Sequence, residues 1–404
     1  MPGTRIAGLA AICLAGMIAG FPPARAAAAL VNDRELDASS LSMLASFGPW
    51  PPKIERDTSN PYSGNARAIR LGQRLFADPG LSGSARISCA SCHQPGRHFT
   101  DGSPLSLAGR EPRRHTPSLM DARFQRWFGW AGSNDSLWAA SLQPFLDANE
   151  MGPERMAPRY LKASPGLWAD YLRVVGARQA ARDETGLLVD MAKILAAFQE
   201  TLVSPRTPFD AYRDAVLAGD GQAAAPYPLQ AVRGYKLFVG KARCVICHSG
   251  PTFSHQEFDK VGIPVRTGTG LMDGGRYDGA KSLLASRFNA LREHAAGVRR
   301  ERVELTRHAS TGVDMLGLFR VPGLRGLSKT APYMHNGSLS SLPEVVQHYS
   351  TLDEVRIAMA SPHAHNDLDI TARPPASTFF SEPLHLTPQE IQDLVSFLET
   401  LSPP

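Results

Sequence analysis

The sequence is poor in cysteine. It has five among 404 residues, and Cys13 falls in an apolar leader. The remaining four, Cys89, Cys92, Cys244 and Cys247, sit in two pentapeptides, so no cysteine is left for a disulfide or a free thiol. Long hydrophobic runs are also missing. The longest, Ile6 to Gly20, is too short to cross a bilayer comfortably. No extended Lys/Arg run occurs, and loss of the two leader arginines, Arg5 and Arg25, brings the formal charge from +5 down to +3. A surface this mildly basic argues against nucleic-acid binding. Strand signals are few and short, which points to a mainly α fold.

The leader has Arg5 as a positive n-region, the apolar stretch as an h-region and Ala24-Arg25-Ala26 as a cleavage site. Cys13 has no Leu-Ala-Gly in front of it, so a lipid anchor is not expected. Residues 1–26 are therefore expected to be a signal peptide, with no stable membrane insertion afterwards, and the mature protein to be periplasmic.

The pentapeptides are Cys89-Ala-Ser-Cys92-His93 and Cys244-Val-Ile-Cys247-His248. C-x-x-C-H is the attachment signature of a c-type haem: two thioethers hold the macrocycle and the histidine ligates its iron. Two copies imply two covalently bound haems. A zinc site made of two C-x-x-C pairs is the alternative. It gives no reason for a histidine directly after both pairs.

A degenerate repeat accompanies the motifs. Gly72-Gln-Arg-Leu-Phe76 precedes the first and Gly234-Tyr-Lys-Leu-Phe238 the second, with glycine-to-cysteine spacings of 17 and 10. Each reads as a helix whose glycine permits close approach of a terminal helix. The expected organisation is an extended segment over 27–64, an N-terminal cytochrome c domain over 65–218, a Gly/Ala/Pro linker over 219–228 and a C-terminal cytochrome c domain over 229–404. Long loops would meet at the domain interface. Apolar spacing predicts a helix from Gly186 to Leu202. Thr387, Pro388 and Glu390 predict a capped terminal helix. Leu283 to His308, rich in arginine, reads as a solvated helical insertion, and His363 and His365 as surface loop residues.

With these motifs in order, the chain resembles the bacterial dihaem cytochrome c peroxidase superfamily, and within it the MauG-like branch. The resemblance rests on the two pentapeptides, Phe99-Thr-Asp-Gly102, Thr116-Pro-Ser-Leu119, Glu150-Met-Gly152, His248-Ser-Gly-Pro251, Phe319-Arg-Val-Pro322 and Ala331-Pro-Tyr-Met-His-Asn-Gly-Ser-Leu339. It implies that the haem of Cys89, Cys92 and His93 meets hydrogen peroxide, and that the haem of Cys244, Cys247 and His248 transfers electrons. Glu150 matches the distal acid/base that moves a proton during O–O cleavage. A glutamine common in that pocket is replaced by Ala140. Trp130 matches the tryptophan between the haems that relays oxidising equivalents.

Ser103 to Arg114, where classical members carry a histidine that caps the first iron, holds none; His98 and His115 flank it. A first iron that is always five-coordinate is the simpler reading, with His98 as the substitute ligand to be weighed against it. The methionine that ligates the second iron in classical members corresponds to Tyr349. A phenolate is a hard anionic donor that lowers the iron's potential. His348 lies about 100° away on the same helix, and Met359 is too far along. Thr330 and Pro332 match calcium-binding positions. The third such position is His115, whose imidazole is a poor ligand for a hard cation. Arg325 is a candidate for a haem propionate or for a structural ion pair.

The expected partners are hydrogen peroxide and either a small redox protein, a cytochrome or cupredoxin, or a protein whose side chain is oxidised. The rivals are a scavenging peroxidase fed by small cytochromes and a non-enzymatic carrier. A carrier would need both irons filled by protein ligands on both faces.

Overall fold

The computed structural model describes residues 35–109, 114–176, 181–260, 262–263, 273–351 and 384–404. The leader with Cys13, Met359, His363 and His365 lie outside the described residues. Among the described residues the chain is mainly helical. Its sole sheet there is two short antiparallel strands, β1 (Phe258–Asp259) and β2 (Phe319–Arg320), with Phe258 opposite Arg320. No described helix is long and apolar enough to cross a membrane.

Two hydrophobic cores form. The first gathers α2 (Ala66–Ala77), α4 (Leu137–Leu146), α5 (Met156–Ala163), α6 (Pro165–Val175) and α7 (Glu184–Gln199). The α7 helix starts two residues before the apolar pattern does, because the Asp183 side chain accepts the Gly186 N–H and caps it. Every residue from Leu187 to Gln199 is buried, so α7 is enclosed all round rather than amphipathic. The Gly72 of α2 explains how close α2 comes: a Cβ there would overlap the Ile194 carbonyl oxygen of α7.

The second core repeats this arrangement with α10 (Leu229–Val239) and α14 (Pro388–Glu399). Gly234 of α10 lies against the Asp393 carbonyl of α14 with no room for a Cβ. Thr387 and Glu390 form the full capping box of α14. Arg233 bridges to Asp393 through two 2.9 Å bonds. Aromatic rings fill the centre, with Phe238 and Phe397 5.0 Å apart and Phe47 stacked on Phe253 at 4.6 Å.

Three segments differ from the sequence-based expectation. Asp37–Pro61 is not simply extended: Asp37 caps α1 (Ala38–Ser46), and the segment buries Phe47 and Trp50. The Ser40 carbonyl accepts the buried Tyr235 hydroxyl at 2.7 Å. Residues 219–228 contain α9 (Gly221–Ala224) and stack Tyr227 on Tyr212 of α8 (Pro208–Leu217) at 4.1 Å, so both belong to the second core. The arginine-rich stretch is not a solvated helix either. Between α11 (Arg276–Ala285) and α12 (Arg300–Arg307) it buries Phe288 and Asn289. Buried Asp135 accepts the Ala290 N–H at 2.7 Å and the Thr306 hydroxyl at 2.8 Å, which fastens the insertion to the first core.

Gly234→Ala should destabilise the protein by about 1–3 kcal/mol through overpacking at α10 and α14. Gly166→Ala, at a position with open space around it, should not destabilise it. Urea titration of both variants checks this; equal midpoints would remove the close-approach account.

Candidate functional site

The first pentapeptide begins on α3 (Cys89–Cys92), a single turn started by a Ser88/Ser91 capping box. His93 follows as its C-cap. Its ring Nδ1–H donates to the Phe99 carbonyl at 3.0 Å. That carbonyl is aimed inward because Phe99 adopts a left-handed φ of 57°. Burial, the largest influence, holds His93 below the usual histidine range. The ring is therefore neutral with Nδ1 occupied, which leaves Nε2 as the nitrogen available to a metal.

The second pentapeptide repeats the device on a 3₁₀ turn. The His248 Nδ1–H donates to the Phe253 carbonyl at 2.9 Å, and Phe253 has a φ of 55°. Burial pushes His248 down to about 4. Phe99 and Phe253 were missed as site residues in the sequence. The signal was there, a phenylalanine six and five residues after the two histidines, but its meaning depends on backbone angles. Burial also raises the Cys89 and Cys244 thiols to about 12.

Cys244, Cys247 and His248 line a cavity of about 240 Å³. Close-packed interiors rarely leave a void larger than a water, so this space fits a large prosthetic group better than solvent. Tyr349 lines the same cavity from α13 (Leu342–Ser350), whose Leu342 and Val346 anchor it in the second core. Burial, then the neighbouring Cys244, Cys247 and Asp259, push the Tyr349 phenol well above its ordinary range. It stays protonated unless a cation takes the proton's place. His348 stands beside it in an edge-on contact, the two ring planes 69° apart, and is absent from the cavity wall.

Glu150 lies in the turn after α4, its N–H donating to the Asp147 carbonyl at 3.0 Å. Burial, then the Asp147 charge, raise its carboxyl to about 7. Its charge raises both the Cys89 and Cys92 thiols, which places the carboxyl near the first site. The loop carrying Gly109 covers it: a Cβ there would sit 3.1 Å from Glu150 Oε1. Ala140 lies half-buried on α4 and offers no polar group. His98 packs against Gly326 and feels the Lys329 charge, both from the C-terminal half, and its Nε2 is buried without a partner.

Trp130 lies between the halves. Its indole N–H donates to the His115 carbonyl at 2.7 Å, its own carbonyl accepts the Arg320 N–H at 2.8 Å, and it lines the cavity. The seam around it is charged and aromatic. Arg114 pairs with Asp273 through bonds of 2.7 and 2.6 Å, and Arg276 lies over Trp127 while donating to the Gly132 carbonyl at 2.6 Å. His335 stacks on Phe319 with centroids 3.6 Å apart, and burial lowers it to about 4. At the calcium-like positions, His115 spends its Nδ1–H on the Ser103 carbonyl at 2.8 Å. Among the described residues the side-chain cluster with metal-ligand spacing is Cys247, His255 and Asp259, and Cys247 already belongs to the pentapeptide.

Of the two roles read for Arg325, the structure shows the ion pair. Its guanidinium makes two 2.9 Å bonds to Asp210, donates to the Pro251 carbonyl at 2.6 Å and lies 3.6 Å over Trp50.

Comparison with known proteins agrees with this layout. The profile of the di-haem cytochrome c peroxidases matches residues 66–217. The chain is 32% identical to the cytochrome-c peroxidase IdrP1 of Denitromonas iodatirespirans, over 88% of this chain and 86% of that one. It is 30% identical to the methylamine utilization protein MauG of Methylorubrum extorquens, over 87% and 82%. Among solved structures, a MauG-like protein associated with microbial copper homeostasis superposes with a TM-score of 0.62 at 26% identity, covering 88% of this chain and 96% of that one. The diheme peroxidase BthA of Burkholderia thailandensis matches in fold with a TM-score of 0.62 at 23% identity, over 85% and 87%. With two histidine-bearing haem motifs on paired helical cores, and these relatives along most of its length, the chain belongs to the di-haem cytochrome c peroxidase family and is a peroxidase-type oxidoreductase using two haems.

Proposed function

We propose that the protein is a periplasmic, MauG-like dihaem peroxidase. In this reading Cys89 and Cys92 hold one haem covalently with His93 as ligand. Cys244 and Cys247 would hold the other, with His248 and Tyr349 as its candidate ligands. The observation that carries the reading is Tyr349 lining one cavity with His248, Cys244 and Cys247. The haems, when bound, supply iron that cleaves peroxide and accepts and releases electrons.

The chain's own residues do the rest. Glu150, its carboxyl raised by burial to about 7, takes a proton from peroxide and returns it to the departing oxygen, which leaves as water. Two electrons and two protons complete the reduction of peroxide to two waters. Trp130 passes electrons between the halves, its N–H held by the His115 carbonyl. Tyr349, as a phenolate, favours the oxidised state at the second site. The external donor is a small cytochrome, a cupredoxin or an oxidisable protein side chain. A cytochrome-fed scavenger is the second reading, favoured by the identity to IdrP1; a low-potential second site weakens it. No step of the scheme needs calcium, and the His115 imidazole at the third calcium-like position is a poor ligand for a hard cation.

Glu150→Gln should lower kcat/KM for peroxide by about 10²–10⁴-fold. In the unsubstituted enzyme kcat/KM should rise with pH through an apparent pKa near 7, because the base must be ionised in the free enzyme. The variant should lose that limb. Stopped-flow pH profiles of both proteins check this; an unchanged limb in the variant would remove Glu150 from the role.

Tyr349→Met should raise the midpoint potential of the second haem, since thioether ligation favours ferrous iron. Spectroelectrochemical titration reads the shift, and a potential equal to that of the unsubstituted protein would show that Tyr349 is not the ligand.

A further inference from the structure

Among the cavity's cations, Arg320 is the anomaly. It is 4% exposed and lines the space shared by His248 and Tyr349. Its Nε donates to the Gly129 carbonyl at 3.3 Å, while Nη1 is buried with no hydrogen-bond partner. No described residue supplies a counter-charge, and burial alone lowers its pKa, to about 10. Arg325, on the same wall, shows the contrast, because Asp210 neutralises it with two bonds. A guanidinium desolvated without an anion is costly, and a fork of N–H donors suits a carboxylate. The cofactor that the pentapeptide implies carries two carboxylates.

We propose that Arg320 binds a propionate of the C-terminal haem and ties that haem to the Trp130 segment of the N-terminal half. The proposal rests on the reading of Cys244, Cys247 and His248 as a haem site. β2 sets the geometry. The Arg320 backbone N–H is bonded to the Trp130 carbonyl, and its side chain to the Gly129 carbonyl. A propionate on the free edge of the guanidinium then has the relay segment on the other edge of the same side chain. Arg320 is thus a positioning residue. It would hold the propionate edge beside the Trp130 segment and place a positive charge there, which favours the reduced iron.

The test uses the holoprotein with Arg320→Gln and Arg320→Lys. Haem content is measured first; fewer than two haems per chain in the unsubstituted protein would sink the underlying haem reading itself. With both haems retained, Arg320→Gln should shift the propionate bending band in the resonance Raman spectrum. It should also lower the midpoint potential of the second haem while leaving that of the first in place. Arg320→Lys, which keeps the charge but not the fork, should restore most of the potential and only part of the band. If both variants keep the original band and potential, Arg320 does not hold a propionate and its buried edge is met by water.

Discussion

A backbone carbonyl gripping a half-buried imidazole is the constraint on which both halves depend. At 3.0 Å for His93 and 2.9 Å for His248, the bond fixes the tautomer and leaves Nε2 as the nitrogen available to a metal. A half-buried neutral ring could otherwise rotate. The carbonyls come from Phe99 and Phe253, whose left-handed backbones cost free energy that the surrounding packing offsets. Phe253 does so while stacking on Phe47, and Phe99 while meeting Phe76 edge-on at 6.1 Å. The strained turn, the aromatic core and the ligand geometry are one construction, made twice.

The two sites then diverge through their distal neighbours. Near the first, a carboxyl raised to about 7 stands under a loop whose Gly109 leaves room for it. At the second, a half-buried phenol lines the wall. The seam between them is stitched by Trp130, Arg114 with Asp273, and Arg276 over Trp127. Charged and aromatic contacts at a seam fix geometry rather than maximise stability.

Local chemistry was legible in the sequence and long-range pairing was not. The pentapeptides, the capped α14 and the close-approach glycines Gly72 and Gly234 follow from spacing and residue type, and the structure has all of them as helices or turns. The lead-in looked extended because its proline-rich end masked the capped turn at Asp37. The arginine-rich insertion looked solvated because nothing in its own sequence announces Asp135, a partner some 150 positions away. Arg325 and Arg320 are five residues apart and chemically identical; only the position of Asp210 separates the paired cation from the unpaired one.

The central claim is that the two irons are unequal, one with an open face beside Glu150 and one closed by Tyr349. Low-temperature electron paramagnetic resonance of the resting, fully oxidised protein tests it most directly. A high-spin ferric signal from the first haem together with a separate low-spin signal from the second is the predicted result. A spectrum with low-spin signals alone would mean that protein ligands close both irons, and would contradict the account.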